Sequence, residues 1–196
     1  MAYTPKILAF AGSTRKDSFN KQLIKVAIRG AEAAGASVTY LDLRELALPL
    51  YDGDDEDANG LPAGALRLKE LMKSHDGFLI ASPEYNSSIS AVLKNAIDWA
   101  SRPAPNERTL EPFDGKVAAL VSASPGALGG LRGLAAVRSI LGNIQVLVLP
   151  DQFALSKAHD AFNADGSMKD AKQQARAENI GATLAKFIAR LRGGEN

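Results

Sequence analysis

The segment Ile7-Leu-Ala-Phe-Ala-Gly-Ser-Thr-Arg-Lys-Asp-Ser-Phe-Asn20 decides the predicted fold, because it joins an apolar run to the start of a helix through a polar loop. Residues 7–11 are continuously apolar, which is typical of a strand covered on both faces in a parallel sheet. Beyond the loop, apolar residues recur at helical spacing from Phe19 until Gly35, a residue type that often ends a helix. The segment is therefore predicted to be the first strand–loop–helix unit of an α/β fold.

The same alternation continues along the chain. Further strand candidates lie at residues 38–43, 78–81, 117–121 and 144–149. Further helix candidates lie at residues 62–71, 89–100, 128–141 and 170–191. The strand candidate at 38–43 is mixed in polarity and is expected at a sheet edge. Strand and helix alternating five times predict an open, doubly wound α/β sheet. We expect residues 1–196 to form a single domain that ends in a frayed tail at residues 193–196.

Composition excludes several classes of protein. The chain has 196 residues, no cysteine, two histidines and a formal net charge of +1. The lack of cysteine excludes disulfides, thiol nucleophiles and thiolate metal sites, and it is compatible with a reducing cytosol. A balanced charge gives no long-range attraction to nucleic acid or to a membrane surface, and no apolar run approaches the roughly 20 residues of a membrane-spanning helix. We therefore expect a cytoplasmic protein with no nucleic-acid or membrane partner.

The loop at residues 12–20 is predicted to bind an anion. In doubly wound sheets, ligands bind at the carboxyl ends of the strands, and the N-terminus of the following helix offers free N–H groups. The loop adds the Arg15 guanidinium, the Asn20 amide and three hydroxyls, which belong to Ser13, Thr14 and Ser18. It contains neither a Walker pattern nor G-x-G-x-x-G. The alternative is that Ser18 or Asp17 only caps the helix, with Arg15 solvated.

Two further polar loops follow the strand candidates at 78–81 and 117–121, and the three loops together resemble a known family. Gly12 to Asn20 match the pattern G-S-x-R-x-x-S-x-N, Pro83 to Trp99 match P-E-Y-N…L-K-N-A-I-D-W, and Ser122 to Arg132 match S-A-S-P-G-x-x-G-G-x-R. The chain is similar to the NADPH-dependent FMN reductases of the flavodoxin-like superfamily, which include quinone, azo-dye and chromate reductases. The resemblance covers nearly the whole chain, with its motifs in order on the three expected ligand loops.

The resemblance implies a flavodoxin-like sheet of five parallel strands in the order 2-1-3-4-5, flanked by helices, with resident FMN. The first loop would hold the ribityl phosphate, the second would run along the isoalloxazine, and the third would line the ribityl and pyrimidine side. The implied residues are, loop by loop, Ser13, Arg15, Ser18, Phe19 and Asn20; Pro83, Glu84, Tyr85 and Asn86; and Ser122, Ser124 and Gly126. No catalytic side chain and no metal are expected, because a bound flavin carries the electrons.

The implied activity is hydride transfer from NADPH or NADH to FMN and then to a quinone, azo compound, chromate or free flavin, by a ping-pong mechanism. Two alternatives are a flavodoxin-type electron carrier and a flavin-binding redox sensor. Carriers are usually strongly acidic so that they dock on basic partners, and a net charge of +1 disfavours that alternative. No cluster of Arg and Lys for a 2′-phosphate is visible in the sequence. Since family members form dimers or tetramers, the resemblance implies a homo-oligomer.

Some residues depart from the family pattern or suggest other chemistry. The family has Pro-Gly where this chain has Ser90-Ala91, and Ser90 is expected to cap the third helix in place of the proline. The acidic segment at residues 52–57 lacks the spacing of a calcium loop and is expected to be solvated. His75 and His159 are both expected at the surface, because neither has a second metal ligand at a usable spacing.

Three residues near the second loop have more than one interpretation. Glu84 is either a proton donor or a carboxylate that accepts hydrogen bonds within its own loop. Tyr85 is expected to stack over the pocket rather than to pack elsewhere. Trp99 lies beside the polar stripe of its helix, which predicts an exposed ring at a subunit interface, with a partly buried anchor as the alternative.

Overall fold

Five parallel strands form the central sheet of the computed structural model, which describes residues 3–193. The frayed tail predicted at residues 193–196 lies, apart from Gly193, outside the described residues. The strands in chain order are β1 (Lys6–Ala11), β2 (Ser37–Asp42), β3 (Gly77–Ala81), β4 (Glu84–Tyr85), β5 (Ser88–Ile89), β6 (Val117–Ala123) and β7 (Leu147–Leu155). The sheet order is β2-β1-β3-β6-β7, which confirms the predicted order, while β4 and β5 form a separate antiparallel hairpin.

Burial along the strands follows their positions in the sheet. Every residue of β3 and β6 is buried, as expected for strands with a neighbour on each side and helices on both faces. The strand β2 has one neighbour and only Leu41 fully buried, which confirms the prediction of an edge strand.

Residues 3–193 contain six α-helices, and five of them pack their apolar side chains on the two faces of the sheet. The six helices are α1 (Phe19–Ala33), α2 (Gly53–Asn59), α3 (Ala63–Ser74), α4 (Ala91–Ser101), α5 (Leu131–Asn143) and α6 (Ala171–Gly193). Apolar side chains of α1 and α6 form the core on one face, and those of α3, α4 and α5 form the core on the other. The contact between α1 and α6 needs two glycines, since a Cβ on Gly30 would lie 1.9 Å from Glu178 O and a Cβ on Gly181 would lie 1.9 Å from Ala27 O.

The last strand differs most from its predicted bounds. It begins at Leu147 rather than at residue 144, because the backbone N–H of Val146 bonds back to Leu141 at the end of α5. It then continues past Pro150, where the register against β6 shifts. A proline has no N–H to donate to a neighbouring strand, and a sheet accommodates one at an irregular position of an edge strand such as this.

Two predictions of exposure are wrong. His75 is buried, with Nε2 2.8 Å from Thr39 Oγ1 and Nδ1 2.6 Å from the Leu71 carbonyl. The Trp99 ring is fully buried and its Nε1 donates to the Pro49 carbonyl at 2.8 Å. In both cases a segment distant in sequence covers the side chain, which helical or strand periodicity does not report.

The acidic segment at residues 52–57 forms part of the short helix α2, which has no buried residue. One of its carboxylates, Glu56, pairs with Arg102 at 2.8 Å and accepts a hydrogen bond from Tyr51 at 2.9 Å. Within residues 3–193 there is no cluster of His, Cys, Asp and Glu arranged to hold a metal ion. No helix in this part of the chain has both the length and the apolar character needed to cross a bilayer.

Candidate functional site

The candidate site lies at the carboxyl ends of β1, β3 and β6, where the three polar loops meet around a cavity of about 160 Å³. Doubly wound sheets bind ligands at this edge, between loops of strands where the winding reverses. The cavity is lined by Ser13, Arg15, Ser18, Phe19, Asn20, Pro83, Glu84, Tyr85, Ala123, Ser124 and Pro125. The fold thus brings together all of the predicted binding residues except Asn86, Ser122 and Gly126.

The first loop presents hydrogen-bond donors at the N-terminus of α1. The Ser18 Oγ accepts from the Lys21 N–H at 3.4 Å, so this serine does cap the helix. The backbone N–H groups of Phe19 and Asn20 have no acceptor within residues 3–193, as expected for the first turn of a helix. Arg15 is exposed and its guanidinium has no partner among the described residues. Capping therefore leaves donors free for an anion.

The Asn20 side chain has a structural task that the sequence did not reveal. Its Nδ2 donates to the Ala123 carbonyl at 2.9 Å and its Oδ1 accepts from the Ala123 N–H at 3.0 Å. Both contacts are buried, so the amide joins the first loop to the third. The backbone N–H of Asn20, rather than its side chain, is the group available to an anion.

The second loop contains the β4–β5 hairpin. Its turn residues Asn86 and Ser87 have φ values of 51° and 65°, the left-handed conformation of a type I′ turn. Tyr85, just before the turn, is 57% exposed at the mouth of the cavity. Sequence reasoning missed this hairpin because its strands are two residues each and its turn contains no glycine; Asn86 was the one available signal.

Glu84 contacts the N-terminus of α5 rather than its own loop. Its Oε2 accepts from the N–H groups of Arg132 at 3.0 Å and Gly133 at 3.1 Å, and its Oε1 accepts from Arg132 Nε at 2.8 Å. Burial by itself would raise the pKa of the Glu84 carboxyl, but the hydrogen bonds from Gly133 and Arg132 lower it below its ordinary value. Glu84 is therefore ionised near neutral pH, and the alternative of a proton donor is not supported.

The third loop places its two serines differently. Ser122 is fully buried and donates to the Ser82 carbonyl at 2.7 Å, so it supports the second loop from below instead of lining the cavity. Ser124 lines the cavity and its Oγ accepts from the Gly126 N–H at 3.2 Å. Gly130 has φ 91°, and a Cβ there would lie 1.9 Å from Ser122 Oγ, so only glycine fits.

Ser90 confirms the predicted cap and adds a contact. Its Oγ accepts from the Leu93 N–H at 3.2 Å and donates to the Gly12 carbonyl at 2.6 Å, which ties α4 to the first loop. Ala91 and Val92 line a second recess of about 350 Å³. This recess shares Ser13, Arg15 and Tyr85 with the first cavity, so the two lie next to each other.

A basic groove of about 420 Å³ adjoins the first loop on its other side. The groove carries four cationic side chains from the first loop, α1 and the segment after β2, which are Lys16, Lys21, Lys25 and Arg44. Two carboxylates, Asp17 and Asp42, offset part of this charge, and Asp42 pairs with Lys21 at 2.5 Å. The cluster was not visible in the sequence because its members are spread over residues 16–44.

Polar loops at the carboxyl edge of a doubly wound sheet, with free donors at a helix N-terminus, define a nucleotide-binding α/β protein. The model of the NADPH-dependent FMN reductase family matches residues 5–160. The chain therefore belongs to the NADPH-dependent FMN reductase family. It is an oxidoreductase with FMN as its flavin and NAD(P)H as its electron donor.

Individual relatives agree with this assignment. The chain is 37% identical over 189 residues to an NAD(P)H-dependent FMN reductase of Pseudomonas aeruginosa, with 96% of this chain and 97% of the relative covered. It is 33% identical over 193 residues to an NADPH:quinone oxidoreductase of Arabidopsis thaliana, covering 96% and 94% respectively. Among solved structures, the flavoenzyme NAD(P)H:(acceptor) oxidoreductase FerB of Paracoccus denitrificans matches with a TM-score of 0.80 and 31% identity, covering 95% of this chain and 98% of that one.

Proposed function

We propose that the protein transfers electrons from NAD(P)H to a quinone or another small acceptor by a ping-pong mechanism, in which donor and acceptor occupy the same recess in turn. The single observation that carries the proposal is that the recess beside Ala91 and Val92 adjoins the cavity between the three loops and shares Ser13, Arg15 and Tyr85 with it. One recess on the open side of a flavin cavity favours alternate occupation over simultaneous binding. Azo compounds, chromate and free flavin are further acceptors to test.

The residues of the cavity fit FMN. The free N–H groups of Phe19 and Asn20, the Ser13 and Ser18 hydroxyls and the Arg15 guanidinium would hold its phosphate. Pro83 to Asn86 would lie along the ring, and Ser124 and Gly126 would lie beside the ribityl chain, with Ser122 supporting them from below. Bound FMN would supply two-electron chemistry, and the chain's own task is to orient donor and acceptor beside it.

Charge also supports binding of an anionic nucleotide. The basic groove shares Ser18 with the flavin cavity, so positive potential extends along the edge of the first loop. Cationic groups around a cleft raise the local concentration of anionic ligands.

Assembly into a homodimer or homotetramer is part of the proposal. Three large apolar side chains of the second loop, the third loop and the start of α5 are exposed: Tyr85 at 57%, Leu128 at 51% and Leu131 at 45%. A second copy of the chain would cover them, whereas the buried Trp99 has no place in such an interface. Sedimentation of the Leu131→Glu variant should show smaller species than the wild type. A cytoplasmic location also stays a prediction, to be checked by cell fractionation.

One anaerobic experiment tests cofactor and reaction together. Protein reconstituted with FMN is mixed with NADPH or with NADH, and the visible absorbance of the flavin is followed before and after addition of a quinone. We expect rapid bleaching by at least one donor and recovery by the quinone, with parallel double-reciprocal plots in steady state. Bleaching that requires a separate reductase would instead indicate an electron carrier.

A further inference from the structure

The N-terminus of α5 lacks a capping side chain of its own. Its N-cap residue is Gly130, where a Cβ would collide with Ser122 Oγ at 1.9 Å. The N–H groups of the second and third helical residues, Arg132 and Gly133, would otherwise be unsatisfied. The Glu84 carboxylate accepts both of them, although it comes from the β4–β5 hairpin 48 residues earlier. A helix is normally capped by a residue next to it in sequence, whereas here the capping carboxylate comes from the β4–β5 hairpin.

We propose that Glu84, together with Arg132 and Gly133, forms a clamp that fixes the distance between the two walls of the flavin cavity. Pro83 to Tyr85 form one wall, and Ala123 to Pro125, which precede α5, form the other. The clamp joins the first wall to the helix that continues from the second. Glu84 is thus a positioning residue for FMN, and this inference rests on the proposed binding of FMN between these loops.

Gly133 sets how closely the walls approach. A Cβ at this position would lie 3.1 Å from Glu84 Cβ, 3.2 Å from Glu84 Cα and 3.2 Å from the Ser88 carbonyl oxygen. Two of these three atoms belong to the backbone of the hairpin, so the hairpin would have to move outward by a few tenths of an ångström. Ligand sites must hold their geometry within about 0.5 Å, so a shift of this size uses up much of that tolerance and should weaken binding.

The clamp also keeps a carboxylate beside the cavity electrically compensated. The Glu84 side chain is only 9% exposed and pairs with Arg132 at 2.6 Å, and the positive end of the α5 dipole further compensates its charge. Loss of Arg132 would leave net negative charge near the flavin, and loss of the Glu84 charge would leave net positive charge. The two losses loosen the same clamp but change the local potential in opposite directions.

The test compares two glycine-to-alanine variants of the same helix. Gly133→Ala introduces the methyl group that meets the hairpin, whereas Gly142→Ala introduces one with nothing within 4 Å. Both replace a helical glycine by the best helix former. Gly142→Ala should therefore not lower the unfolding temperature of the apoprotein, whereas in Gly133→Ala the cost of displacing the hairpin opposes this gain, so the unfolding temperature of each variant is measured beside its FMN affinity. We expect the FMN Kd, measured by quenching of flavin fluorescence, to rise about tenfold in Gly133→Ala, equivalent to about 1.4 kcal/mol, and to stay at the wild-type value in Gly142→Ala.

A second pair of variants keeps the inference testable if Gly133→Ala does not fold. Glu84→Gln and Arg132→Ala should both raise the FMN Kd, while the midpoint potential of bound FMN rises in Glu84→Gln and falls in Arg132→Ala. If Glu84 and Arg132 had a purely structural role, the two variants would not shift the midpoint potential of bound FMN in opposite directions. An FMN Kd within twofold of wild type in Gly133→Ala, or in both variants of the second pair, overturns the clamp. Wild-type protein that fails to bind FMN would instead overturn the proposed function.

Discussion

Two carboxylates of this protein make similar contacts in different regions. Glu84 accepts backbone N–H groups and pairs with Arg132 beside the cavity between the three loops, where we propose that FMN binds. Glu107, in the segment between α4 and β6, accepts from the Ala104 N–H at 3.0 Å and pairs with Lys69 at 2.5 Å. The surroundings differ: the side chain of Arg132 is 59% exposed, whereas those of Lys69 and Glu107 are 2% and 4% exposed.

This difference in exposure indicates the role of each ion pair. Lys69 is enclosed by α3 and the end of α4, where it also donates to the carbonyls of Ala100 and Arg102. A charge in such a place is costly to leave unpaired, so the Glu107 contact supports the fold. The Glu84 contact leaves its cation in water, where an ion pair contributes little stability, so its value lies in where it places the hairpin. The first region should respond to mutation in stability, and the second in ligand binding.

The largest effect should come from the buried pair. Glu107→Gln leaves the Lys69 ammonium without its counter-ion, and the free energy of unfolding should fall by about 3–5 kcal/mol. The FMN Kd of the folded fraction should not change, since the pair lies away from the cavity. Urea unfolding and flavin-fluorescence titration measure the two quantities. A variant with wild-type stability, or with selectively weakened FMN binding, would break the comparison.

Acid should weaken the same region. Burial would raise the pKa of the Glu107 carboxyl, but the contact with Lys69, the hydrogen bond from the Ala104 N–H and the ion pair with Lys73 hold it below the ordinary value of 4.5. The stabilising contribution of Glu107 is therefore complete above pH 4.5 and is lost as the pH falls through the lower value of the folded state. Urea unfolding of the apoprotein at a series of pH values should show a steeper acid loss for the wild type than for Glu107→Gln. Parallel curves would exclude Glu107 as a source of the acid sensitivity.

A mutation in the first loop should instead weaken FMN binding and leave the stability of the protein unchanged. Arg15→Ala removes an exposed guanidinium with no partner within residues 3–193, so stability should stay at the wild-type value. FMN binding should weaken by about 1.5–3 kcal/mol, the range for a charge-assisted hydrogen bond. Lys186→Ala, which removes an exposed cation of α6 that lines neither the cavity nor the basic groove, serves as the matched control. Unchanged FMN affinity in Arg15→Ala would remove this residue from the phosphate site.

The smallest effects are expected for Ser90→Ala, and they should appear in both stability and FMN affinity. Ser90→Ala removes the cap of α4, which should lower stability by about 1 kcal/mol. It also removes the donor to the Gly12 carbonyl in the first loop, so a modest loss of FMN affinity should accompany it. Ser101→Ala, at the other end of the same helix, is the control for stability alone. An effect confined to stability would show that the contact with Gly12 does not position the loop for the flavin.

The sequence predicted the architecture well because the relevant signals are local. Continuous apolar runs marked β1, β3 and β6, mixed polarity marked β2 as an edge, and Ser90 was expected to cap α4. The three loop motifs were correctly assigned to the carboxyl ends of the strands. The start of β7 was misplaced because the apolar residues 144–146 finish α5 instead of entering the sheet.

Side-chain contacts with residues distant in sequence could not be predicted from such local signals. Trp99 lies on the polar side of its helix by periodicity, yet residues 49–51 cover it. Asn20 was expected to face a phosphate, and its amide instead spans 103 residues to Ala123. No local pattern encodes such a pairing, because it arises only when the sheet brings successive loops to one edge.

The sequence by itself therefore determined the alternation of strands and helices, the three polar loops and the family, since periodicity and motif spacing act within short stretches of chain. The strand order followed from the resemblance to that family. The tertiary structure decided which polar groups have partners within the protein and which remain available to a ligand. It left the N–H groups at the start of α1 open to an anion, assigned Glu84 to the N-terminus of α5 and enclosed Lys69 with Glu107. The physical reason is that hydrogen bonds and ion pairs are satisfied by proximity in space, which the crossovers of the sheet create between residues far apart in sequence.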